Sequence, residues 1–178
     1  MATKKWVVDP THSEIQFKVK HLMITNVTGS FTIFTVTATT EDEDFTKATI
    51  SFTADAASVS TGNEQRDGHL QSADFFDAAT YPQLKFTATK YEAVDNDGSY
   101  ELYGNLTIKD KTKAIKLAVE FGGVVKDPYG NTKAGFTING KINRQDFGLT
   151  WSALTEAGGV LVSDEVKINC EIQLIEQQ

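Results

Sequence analysis

Apolar and polar residues alternate with a period of two from one end of this chain to the other, and few folds accommodate that pattern. Ile15, Phe17 and Val19 alternate with Gln16, Lys18 and Lys20. Ile50, Phe52 and Ala54 alternate with Ser51, Thr53 and Asp55, and Leu84, Phe86 and Ala88 with Lys85 and Thr87. Leu102, Leu106 and Ile108 share one parity, as do Ile115, Leu117, Val119 and Phe121, then Phe136, Ile138 and Ile142. The last such run carries Val166 to Leu174. Successive side chains of a strand point to opposite faces, so each run is a strand with one buried face. In Thr28–Ala38 the parity slips once, Phe31 and Ile33 against Phe34 and Val36, which predicts a β-bulge near Ile33–Phe34.

Turn chemistry divides the runs. Glu41–Asp44 reads as a solvated acidic loop, Asp95–Gly98 as a hairpin tip, Asp127–Asn131 as a second turn and Ala157–Gly159 as a third break. About eight strands with frequent turns indicate a sandwich or barrel, and long strands with a clean inward stripe favour the barrel, because closure removes exposed edges. Gly104 and Gly140 stand on apolar stripes, where a glycine marks either a bend or volume left for a ligand.

One stretch escapes the alternation. "NEQRDGHLQSADFFDAATYP", Asn63–Pro82, reads as a short helical insertion over about residues 63–78. Thr61 stands three residues before Glu64, the spacing of a capping box, and Ser72 can cap a second turn. Pro82 forces Tyr81 to be extended and returns the chain to strand. Arg66, Asp67, His69 and Asp74 are read as charges that clamp the insertion to the barrel, with Arg66 on a carboxylate, while Phe75 and Phe76 plug it. The competing reading makes His69 an acid–base group with Asp67 or Asp74. It finds no nucleophile motif, and His12, His21 and His69 fall at no metal-ligand spacing, so no catalytic and no metal residue is assigned.

The bulk properties narrow the partners. The 178 residues fit one domain, spanning 1–178. A net charge of −7 argues against nucleic acid or an anionic membrane as a main partner, since either favours a basic surface. The lone Cys170 sits in an alternating run and reads as a small buried apolar residue. There is no apolar run of membrane-span length and no signal-peptide pattern at the N-terminus. The expected location is cytoplasmic for the chain as written, or periplasmic for a trimmed mature domain.

The strings "VVDPTHSEIQFKVKHLMITNVTGSF" (Val7–Phe31), R-D-x-H-L…D-F-F-D…Y-P-x-L-x-F in the insertion, "YGNLTIKDKTKAIKLAVEF" and "INRQDFGLTW" carry a resemblance over nearly the whole chain. The sequence resembles the YceI-like family of lipocalin-like polyisoprenoid-binding proteins. The resemblance implies an all-β, extended, antiparallel eight-stranded lipocalin-like barrel. It also implies storage or transport of an isoprenoid, isoprenoid quinone or fatty-acyl derivative without catalysis, and a homodimer for many members. No cofactor is expected besides the lipid ligand. The inward stripe supplies the candidate lining: Phe17, Val19, Phe31, Ile33, Phe52, Phe86, Leu106, Ile108, Leu117, Val119, Phe136 and Ile138. Arg144 and Asp146, in the R-x-D-F-G-L string, join Arg66, Asp67, His69, Asp74, Phe75 and Phe76 as the candidate clamp.

Overall fold

The chain closes on itself. The computed structural model describes residues 2–22, 24–94, 97–151 and 162–177. Its strands are β1 (Thr3–Val8), β2 (Glu14–His21), β3 (Thr25–Phe31), β4 (Phe34–Glu41), β5 (Asp44–Asp55), β6 (Val59–Ser60), β7 (Gln83–Ala93), β8 (Ser99–Ile108), β9 (Lys111–Lys126), β10 (Thr132–Asn143) and β11 (Glu165–Gln177). All pairings are antiparallel, and β11 bonds to β10 on one edge and to both β1 and β2 on the other. The pairs β1–β2, β3–β4 and β5–β6 each continue one long strand across a break, so eight strands form a closed ring. Each ring strand is hydrogen-bonded to a neighbour on either side, the closure that the long inward stripes favour.

Each break has a local cause. Between β1 and β2, Asp9 caps a 3-10 turn over Pro10–His12, and its amide bonds to Gln173 O at 2.8 Å. Ser13 then meets Gln173, whose amide donates to the Ser13 hydroxyl at 2.9 Å. The D-P-T-H-S string thus bends one strand while holding it against β11. The Asp9 carboxylate is buried and accepts bonds from the Thr11 hydroxyl at 2.7 Å, His12 Nδ1 at 2.8 Å and Lys133 Nζ at 2.9 Å.

Between β3 and β4 the expected slip of parity is an interruption at Thr32 and Ile33. Ile33 turns outward and is 59% exposed, which corrects its assignment to the inward stripe. Its carbonyl accepts the amide of Asp55 at 2.9 Å, so the backbone is tied down while the side chain leaves. Phe34 and Val36 take up the inward parity after it.

Gly104 and Gly140 leave no empty space. Their missing side chains make room for the Phe86 ring and for Leu117, and Gly29 does the same for Phe17. The Asp127–Asn131 turn forms as read, with Asp127 accepting the amides of Tyr129 and Asn131. Part of the expected Asp95–Gly98 tip and all of the Ala157–Gly159 break lie outside the described residues.

The two ends of the barrel differ. At one end aromatic rings close the core: Phe45 lies 5.1 Å from both Trp6 and Phe136, and Tyr91 stacks on Tyr100 at 4.6 Å. At the other end lies α1 (Glu64–Gln71).

Candidate functional site

The interior stripe encloses a cavity of about 370 Å³, near the lower end of the range for small-molecule pockets. All eight ring strands line it with branched or aromatic side chains, and its wall is almost wholly hydrocarbon. On β11 the lining runs from Val166 to Leu174, eight residues apart. At the usual rise and tilt that is a channel about 20 Å long. All the expected lining residues border it except Ile33: Phe17, Val19, Phe31, Phe52, Phe86, Leu106, Ile108, Leu117, Val119, Phe136 and Ile138.

Polar side chains that touch the cavity gather at the helix end: His21, Thr61, Arg66, His69 and Arg144. Asn63 caps α1 by accepting the amide of Arg66 at 3.0 Å, which replaces the expected Thr61–Glu64 box. Thr61 serves a different purpose. It accepts Arg66 Nε on its hydroxyl at 2.7 Å and Arg66 Nη2 on its carbonyl at 2.8 Å. That hydroxyl and the Thr61 amide donate to Asp67 Oδ1 at 2.6 and 2.8 Å. The expected Arg66–carboxylate pair is therefore corrected to a chain, Arg66 to Thr61 to Asp67. Thr61 is closer in the fold because β6 ends beside the first turn of the helix.

His69 lies on the inner side of α1, with Nε2 2.8 Å from Asp74 Oδ2. Its ring meets those of Phe75 and Trp151 edge-on, at 5.1 and 4.9 Å. Phe75 and Phe76 are both buried, and Phe76 packs on Phe31 at 5.6 Å. Ser72 bonds back to His69 O and ends the helix.

Arg144 is buried at 2% exposure and anchors the chain around this end of the barrel. It donates to Leu149 O at 2.6 Å, Trp151 O at 2.7 Å and Ser163 O at 2.9 Å. Its carboxylate partner is Asp164 at 3.3 Å, whereas Asp146 is exposed in the turn that follows Arg144. Burial pulls the Arg144 pKa down and Asp164 opposes it.

Two further groups touch the cavity. Cys170 is buried, and burial pushes its thiol up to about 12, so it stays protonated and inert. Tyr91, near the aromatic end, holds a buried hydroxyl with no hydrogen-bond partner among the described residues. Burial raises its pKa, and Tyr100 adds to the shift. The alternation placed Tyr91 off the parity of Leu84 and Phe86; a register shift between Ala88 and Lys90 returns it inward. Among the described residues no group of three His, Cys, Asp or Glu is placed to hold a metal ion. No helix among them is long and apolar enough to cross a membrane.

Comparison with known proteins gives a consistent family. A family model described as the YceI-like domain matches residues 6–174. A UPF0312 protein of Staphylococcus epidermidis is 38% identical over 170 residues, covering 95% of this chain and 96% of its own length. Among solved structures, the Campylobacter jejuni YCEI protein is 39% identical with a TM-score of 0.75, covering 90% of this chain and 91% of that one. BcnA of Burkholderia cenocepacia is 25% identical with a TM-score of 0.77, covering 93% and 98%. A domain of Saccharophagus degradans, described as polyisoprenoid-binding, shares the fold at a TM-score of 0.70 and 17% identity, covering 97% and 98%.

Proposed function

The chain belongs to the YceI-like family, and from that premise we propose that it binds one long-chain amphiphilic lipid, to store or carry it without transforming it. The observation that carries this reading is the shape and chemistry of the cavity: long, narrow, enclosed by a closed barrel and walled with hydrocarbon. Such a wall discriminates little between apolar chains, but it stabilises each buried methylene by roughly 0.8 kcal/mol. An isoprenoid, a prenyl quinone tail or a fatty-acyl chain all fit that description. The Saccharophagus domain is described as binding a polyisoprenoid; for this chain the reading rests on its own interior.

The polar residues lie where a head group would emerge. Thr61, Arg66, His69 and Arg144 border the helix end, so the tail points toward Tyr91 and Phe136 and the head toward α1. Displacement of a fluorescent fatty acid by prenyl quinones and acyl amides tests the reading. Saturable displacement supports it, and the Ile138→Trp barrel, narrowed from within, should lose that binding while keeping its fold. Failure of the wild-type protein to take up any of these probes overturns it.

The His69–Asp74 contact beside the cavity supports a second reading, an enzyme acting on the bound lipid. The Asp67 variant of that reading loses support, since Asp67 is engaged by Thr61. Turnover lost in a folded His69→Ala protein would favour the enzyme; a modest loss of stability with unchanged lipid uptake favours the carrier.

A further inference from the structure

We propose that the helix end of the barrel docks on an anionic lipid surface, through a row of lysines on its outer wall and the apolar tip of the β2–β3 hairpin. Lys18 on β2 stands directly opposite Lys167 on β11, which stands directly opposite Lys141 on β10. Like charges placed opposite one another across a sheet destabilise it, so the row calls for a counter-charge. Lys141 meets Glu165 at 3.7 Å. Among the described residues, Lys18, Lys20 and Lys167 have no carboxylate within 4.0 Å.

The row is one step of a gradient. Two residues further from the helix end, the same three strands present Gln16, Asn169 and Asn139. Two further still they present Glu14, Glu171 and Thr137. The acidic turn Glu41–Asp44 lies beyond them, beside the aromatic end. From Ile15 to Thr40 the chain has Lys18, Lys20 and His21 but no acidic residue, although the whole protein has 24. The net charge of −7 is therefore unevenly placed: toward the helix end the outer wall of this sheet carries Lys18, Lys20, Lys141 and Lys167 against the single Glu165, while the acidic Glu64 and Asp67 sit on α1.

Beyond Lys20 the hairpin turns, and Leu22 and Ile24 are 38% and 77% exposed. His21, next to Leu22, borders the cavity. Basic side chains, an exposed apolar tip and the polar-bordered end of the cavity thus share one end of the molecule. Lysines beside an anionic bilayer bind through its surface potential, and a projecting apolar tip enters the interface. A protein partner with an acidic surface would satisfy the lysines but would leave Leu22 and Ile24 at a hairpin tip unexplained. The docking role rests on the carrier reading for its purpose, because lipid would enter and leave at this end.

Co-sedimentation with vesicles tests it, using phosphatidylcholine alone and phosphatidylcholine with phosphatidylglycerol. The wild-type protein should bind the anionic vesicles, weakly at high salt and little to neutral ones. The Lys18→Gln, Lys20→Gln, Lys167→Gln triple variant should lose on the order of 100-fold in binding, at about fivefold per lysine. The Leu22→Ser, Ile24→Ser variant should also bind less. Barrel occupancy and melting temperature, measured on the same samples, should stay at wild-type values or rise for the triple variant as repulsion is relieved. Wild-type protein that ignores anionic vesicles, binds neutral ones equally, or is indifferent to the triple substitution overturns the proposal. Capture on immobilised polyglutamate without vesicle binding would assign the lysines to an acidic protein and overturn it too. An empty barrel that still docks would count against the carrier reading alone.

Discussion

The Nε of Arg66 lies 2.7 Å from the hydroxyl oxygen of Thr61, and the proton of that hydroxyl goes to Asp67. Thr61 is thereby the joint between β6 and α1. Thr61→Val keeps the shape and removes the hydroxyl, leaving Arg66 Nε and Asp67 each short of a partner. The expected cost is about 1–2 kcal/mol, with faster amide exchange across residues 61–71. Arg66→Gln should cost less, because its side chain is exposed and the Thr61–Asp67 bonds survive it. Equal losses from the two would show that Thr61 acts through Arg66 alone.

The Asp9 knot predicts sensitivity to acid. Burial pushes the carboxyl up, but Thr11, Lys133 and His12 together outweigh it and hold its pKa well below the usual carboxylate range. A depressed folded pKa contributes stability that is present above the unfolded value, near 3.9, and fades as pH falls toward the folded one. Denaturant melts should show stability dropping below about pH 4. Asp9→Asn should flatten that limb and cost about 2–4 kcal/mol at pH 7, since Lys133 loses a buried partner. An acid limb unchanged in Asp9→Asn would place the titration elsewhere.

The Tyr91 hydroxyl is buried without a partner, which is costly. Tyr91→Phe keeps the stack on Tyr100 and deletes only the hydroxyl. Stability of the lipid-free protein should rise by about 1 kcal/mol, a gain of roughly 2–4 °C in melting temperature for a chain of this size. A lower melting temperature would mean that the hydroxyl has found a partner in solution.

Arg144 predicts the largest single loss at the helix end. Its guanidinium ties Leu149, Trp151 and Ser163 together, and Arg144→Ala would leave those carbonyls without their donor. A cost of about 3–5 kcal/mol is expected, with Arg144→Lys rescuing little because an ammonium cannot span the same carbonyls. Full rescue by lysine, read from denaturation midpoints, would show that charge alone matters there.

The strands and their inward parity were legible because a half-buried strand repeats every two residues, and nothing local competes with that signal. Ile33 marks the limit of that signal: parity shows where the phase changes, but the change is a strand break over Thr32 and Ile33 rather than a bulge, and packing decides which side chain leaves. The partner of Arg66 was misread for a related reason. A carboxylate on the same helix is visible by spacing, whereas Thr61 approaches only once β6 has paired with Phe31 on β3. Gly104 and Gly140 read either as bends or as open volume, and Phe86 and Leu117 come from neighbouring strands to fill any such volume. The lysine row was hidden in the same way, since Lys18, Lys141 and Lys167 become neighbours only through register.

The central claim is that the barrel is built around a lipid chain, and native mass spectrometry of gently purified protein tests it most directly. The account predicts one amphiphile per barrel, released on organic extraction, and absent from the Ile138→Trp variant. Wild-type protein at its bare polypeptide mass, which also stays bare after incubation with prenyl quinones and long-chain acyl amides, would contradict it.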